Sequence, residues 1–249
     1  MRKILNLDIK RGIVNINWLT SVILLVIVLY RPLRGCFDNI GLMHVLEWVT
    51  LPMALSGFSV FAAVFPVLGY SNSFYNDYNT GYIRFILTRM SWKKYGIMRI
   101  ISVGVSGGLT LGIPFTIIFI ICYIVGDKGS LAGRLYAGTH IELFVEQYGI
   151  VITLIVKVLL GFLFGALWAL VGYCVSLFVL NKYMALVCPF VIYQFMWIIL
   201  FKFPLFNPIF LMRGDDLDSY LVSGVMLIIY ISLVCIMIMN KLNRRIQDV

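Results

Sequence analysis

The side chains able to do chemistry are few and scattered. Two histidines, His44 and His140, lack the HExxH spacing of a zinc protease, and both fall at or beyond the outer ends of apolar segments. Five cysteines, Cys36, Cys122, Cys174, Cys188 and Cys235, show no CxxC spacing and read as small packing residues, so no metal site is expected. Asp215 and Asp216 sit in an outer loop where solvation accounts for them, and no serine shares a depth with a plausible base. A GxxxxGK-Ser/Thr phosphate cradle is absent, and the glycines of Ser106-Gly107-Gly108 lie inside an apolar run that phosphate does not reach. Catalytic residues and a cofactor are therefore not expected in this chain.

What remains is recognition chemistry, concentrated in the polar, basic stretch from Tyr70 to Arg99. It opens with Ser71 to Gly81, and from Tyr82 onward Tyr82, Phe85, Ile86 and Arg89 recur at i, i+3, i+4 and i+7, the spacing of one helical face. Such a helix suits either a partner's groove or a lipid surface, where Trp92 and Tyr95 would anchor it. One charge, Lys157, stands well inside an apolar run. A lysine there costs a few kcal/mol on insertion scales and is expected to line a translocation route, pair with an acid on another helix or snorkel to the outer interface.

The elements that position these residues follow from composition. The 249 residues are 61% hydrophobic and 12% charged, with mean hydropathy +0.98, far from a soluble average of about one quarter charged. Six apolar runs approach or exceed the roughly 20 residues that a bilayer demands of a helix: Val14–Tyr30, Val49–Gly69, Ile100–Val125, Tyr148–Leu180, Met184–Phe201 and Leu221–Asn240. The fourth is long enough to tilt or to begin outside the membrane. No linker or soluble domain interrupts them, so residues 1–249 read as a single membrane domain. The first run lacks a small-x-small cleavage pattern and is expected to remain as a span.

Thirteen of the 20 Lys and Arg fall on the side of the termini and six on the other, with Lys157 counted on neither. The positive-inside rule puts both termini in the cytoplasm. The net charge of +9 is thus a topology signal, and nucleic acid is not an expected partner. Met1–Gly12, with Ile4 and Leu7 among basic residues, suits a short helix on the inner leaflet, and Lys241–Val249 an anchor at anionic headgroups.

The order of an aromatic, Asp77, Gly81, an apolar helical turn, Arg89, Ser91, Lys93-Lys94, Tyr95 and Arg99 resembles the cytoplasmic loop of type-2 ATP-binding-cassette (ABC) exporter permeases. That family often has Glu where this chain has Asp77, Pro near Met90 and Lys at Arg99. The proline-interrupted segment Phe203–Met212 also resembles the family's short outer half-helices. The resemblance implies an all-α integral membrane protein with six transmembrane helices, a short N-terminal amphipathic helix, a cytoplasmic coupling helix between spans 2 and 3 and short re-entrant outer helices between spans 5 and 6. It implies a cytoplasmic ABC ATPase subunit that binds ATP and Mg, docked at or beside Asp77, Gly81, Phe85, Ile86 and Arg89. It also implies a second permease subunit, identical or related, and residence in a bacterial cell membrane. Gly161, Gly165, Ala169 and Gly172 form a small-residue stripe that suits either that partner or packing within the subunit. Apolar or amphipathic cargo, peptides first, would suit such a site. The alternatives are a secondary carrier or channel, which usually carries several ionisable groups near the midplane, and a membrane scaffold or immunity protein that does not pump.

Overall fold

A computed structural model describes residues 2–35, 43–129, 131, 135–215, 217 and 219–247. Cys36, Arg134, Asp216 and Asp218 lie outside them. The described residues are helical apart from turns and one isolated bridge between His44 and Asp127.

Helices α1 (Arg2–Ile13) and α2 (Ile16–Arg34) are separated by Asn15, whose side chain accepts from the Asn17 amide and caps α2. The second apolar run is the main departure from expectation. Instead of one span it forms α3 (Val45–Leu55), α4 (Phe58–Phe61) and α5 (Val64–Tyr70). Gly57, at φ 69°, takes a left-handed conformation that stops α3 and opens α4. In hydrocarbon such breaks require other partners for the freed carbonyls, and side chains supply them. Ser59 Oγ donates to the Met53 carbonyl (3.0 Å) and Ser21 Oγ to that of Phe65 (2.8 Å). Tyr193 donates to the Ser59 carbonyl and Gln194 Nε2 to that of Val60 (2.5 Å).

Two short helices, α6 (Ser73–Asn79) and α7 (Tyr82–Leu87), lead into α8 (Trp92–Val125), which begins about two turns before the expected span. The broken segment runs alongside α8. Near one end the Val45 amide donates to the Asp127 carbonyl (3.0 Å); near the other Tyr70 meets Arg99. From Arg99 to Val125 the helix rises about 40 Å.

Helix α9 (His140–Tyr148) precedes α10 (Ile150–Phe178), with Gly149 at φ 85° marking the break, so the long fourth run begins outside α10. After α11 (Lys182–Ile199) comes one short helix, α12 (Pro208–Arg213), in the proline-interrupted segment, and then α13 (Tyr220–Gln247). Among the described residues five helices, α2, α8, α10, α11 and α13, are long and apolar enough to cross a membrane.

Helices α8 and α10 form the centre, and their crossing explains the small-residue stripe. A Cβ on Gly161 would fall 2.5 Å from the Phe115 ring, and one on Gly165 would strike the Gly107 carbonyl. Ala169 lies against Gly107, and a Cβ on Gly172 would lie 2.9 Å from Ser71 and Val67. All four are buried within the subunit, so of the two uses expected of the stripe, a partner face or packing within the subunit, the structure shows the packing: the close approach of α10 to α8 and α5.

Candidate functional site

Arg99 stands two turns into α8, fully buried. Its guanidinium is a fork that can satisfy two carboxylates at once. One nitrogen bonds Asp8 of α1 at 2.7 Å, and the other bonds Asp77 of α6. The Tyr70 hydroxyl at the end of α5 accepts from Arg99 and donates to Asp8 (2.8 Å), while the Tyr95 hydroxyl donates to Asp77 (3.2 Å). Both rings flank the guanidinium, with centroids 5.5 and 5.4 Å away. One cation and two carboxylates, each about 95% buried, thereby join four elements.

Each element brings its residue inward for a local reason. On α1, Leu5, Asp8 and Gly12 share the face toward α8; the Ser106 hydroxyl donates to the Gly12 carbonyl (3.2 Å), and a Gly12 Cβ would press on the Tyr70 ring. Phe74 carries α6 into the same core by an edge-on contact with Tyr173 of α10.

Above this junction α7 hangs with a reversed face. Gly81, at φ 68°, starts it, and Ile83, 1% exposed, is its buried anchor. Phe85 points away at 70% exposure, Tyr82 and Arg89 are exposed, and Ile86 is half-buried. Arg89 lies just past the helix end, in the following turn. A groove of about 260 Å³ between α1 and α7 is lined by Ile4, Leu7, Phe85, Ile86 and Arg89 and has Asp8 and Arg99 at its floor. Arg11 lies over the Tyr82 ring at 5.3 Å, and Arg84, Lys93 and Lys94 are exposed nearby. The surface is therefore aromatic at its centre and positive around it.

Of the residues expected at a docking surface, Phe85 and Arg89 are exposed, Ile86 is half-buried, and Gly81 sets the turn that presents them. Asp77 is 4% exposed and acts from below through Arg99. The sequence reading missed Asp8, Tyr70 and Ile83. A signal was present for Asp8, since acids are scarce on the side of the termini and a basic helix with one acid invites a partner for it.

Lys157 lies about 10 Å into α10 from its N-terminal end. Its side chain is 3% exposed, pairs with Asp215 just beyond α12 and donates to the Arg213 carbonyl at 3.3 Å. It ties α10 to the connection between α12 and α13, so its acid comes from a turn and not, as the pairing expectation had it, from another helix.

Fold and site together define an α-helical, multi-pass membrane protein with a polar junction buried at the end of α8 nearer the chain termini. No protein-family model, curated protein or solved structure matches the chain.

Proposed function

We propose that this chain is the membrane-spanning permease subunit of an ATP-driven exporter of the ATP-binding-cassette type. In this reading α3, α4 and α5 together make the second of six crossings, both termini face the cytoplasm, and the cargo is apolar or amphipathic, peptides first. ATP and Mg belong to a separate ATPase subunit. A second permease subunit completes the transporter through contacts other than the small-residue stripe.

The observation that carries the proposal is the pairing of an exposed Phe85 with a buried Arg99 junction beneath it. A large aromatic side chain 70% exposed beside exposed cations suits a protein groove with an apolar pocket and an acidic rim. Force applied to α7 meets a stiff support, because Asp77 passes it to Arg99 on α8, and Arg99 passes it to Asp8 on α1 and Tyr70 on α5. A nucleotide-driven movement of the partner thereby tilts several membrane helices together. Lipid alone would not require so rigid a mount.

The test is affinity purification in mild detergent with an ATPase assay of what co-purifies. We expect a soluble ATPase to be recovered with the wild type and lost with Phe85→Ala/Arg89→Ala, while the variant keeps its thermal unfolding temperature. Recovery of intact, folded wild type without an ATPase across several gentle conditions would overturn the reading.

A further inference from the structure

Helices α11 and α13 both pack on α10, and between them lies a cleft of about 390 Å³. Its walls are apolar: Leu167, Trp168, Val175 and Phe178 on α10, Met196 on α11 and Met237 on α13. Along α10 it extends from Leu167 to Phe178, about 17 Å, close to the depth of one leaflet of a hydrocarbon core about 30 Å thick.

The end at Phe178 differs from the rest. Lys241 of α13 places its ammonium 4.7 Å from the centre of the Phe178 ring. One turn further on, Arg245 donates to the carbonyls of Leu177 (3.0 Å) and Phe178 (2.9 Å), where α10 runs out of backbone partners. Neither cation pairs with an acid among the described residues. An apolar slot one leaflet deep thus ends beneath two cations at headgroup height. That charge pattern matches an amphiphile with a negative head and a hydrocarbon tail, and it does not match an apolar helix of a second subunit, which would bring no anion to the cations.

We infer that this cleft is a binding site for one anionic phospholipid from the leaflet on the side of the chain termini, its acyl chain between α11 and α13 and its phosphate at Lys241 and Arg245. Basic pockets between membrane helices on the cytoplasmic side hold such headgroups by the same chemistry. The site needs only that these helices lie in lipid, and it is independent of the transport reading.

The test is native mass spectrometry of the detergent-purified protein after addition of equal amounts of phosphatidylglycerol and phosphatidylcholine, so the result does not depend on an ATPase or on which way the termini face. We expect one phosphatidylglycerol to be retained preferentially. Lys241→Gln, which keeps the Arg245 bonds to α10, should lower that preference roughly fivefold, and Lys241→Gln/Arg245→Gln roughly thirtyfold. Leu233 of α13 also lines the cleft, and Leu233→Trp, which fills it and leaves both cations in place, should abolish retention of either lipid. Equal retention of the two lipids by the wild type, or unchanged preference in Lys241→Gln, overturns the inference. So does a lipid-free dimer that Leu233→Trp dissociates, which would make the cleft a subunit interface.

Discussion

Arg99 holds its position because two carboxylates and two phenols leave its fork little freedom. A buried charge with its partner removed is costly, about 3–5 kcal/mol. Arg99→Ala strands Asp8 and Asp77 together and should lower stability by that order in thermal unfolding of the purified protein. Arg99→Lys keeps the charge but loses the planar fork that reaches Asp8 and Asp77 from separate nitrogens, so it should fall between Ala and the wild type. An Arg99→Ala protein that unfolds with the wild type would show that the junction does not hold the fold. Lys157 and Asp215 are a smaller instance of the same logic. There the lysine sits where insertion alone would disfavour it, and the acid is supplied by the turn after α12.

At the scale of elements, the crossing of α8 and α10 depends on the absence of side-chain atoms. Gly165→Val would drive new carbons into the Gly107 carbonyl and should cost about 1–3 kcal/mol or more as overpacking. The loss would be seen in unfolding of the isolated subunit, whereas a stripe reserved for another subunit would leave that measurement unchanged. The long helices were legible because a run of about 20 apolar residues admits few other states in lipid. Ile141, Phe144 and Val145 on α9 carried a readable i, i+3, i+4 signal that the sequence reading passed over. The interruption of the second run was not legible, since prolines and glycines are common in membrane helices. What allows it to break is the supply of donors from Ser21, Tyr193 and Gln194, which local pattern does not encode. The pairing within the Arg99 junction was not legible for the same reason, although Asp77 and Arg99 stood in one motif: its acids come from 91 and 22 residues away.

For the whole molecule, α11 packs on α10 and is fastened to the interrupted segment through Tyr193 and Gln194, with much of its surface uncovered. Removing both donors with Tyr193→Phe/Gln194→Leu frees two carbonyls, of which the buried one at Ser59 is worth about 1–3 kcal/mol when left unpaired. The variant should unfold at lower temperature, and protease cleavage should rise in the turns at Ser56-Gly57 and Ala62-Ala63. An unchanged cleavage pattern would count against this fastening. These same bonds bear on how the chain is made. The donors to Ser59 and Val60 lie 134 residues downstream, so about 7 to 27 seconds of synthesis separate the break from the residues that complete it. During that interval the segment lacks the donors that its interrupted form needs in lipid. If it enters the membrane first, it has to pair those carbonyls within itself as one continuous helix, and the break can form only once α11 arrives.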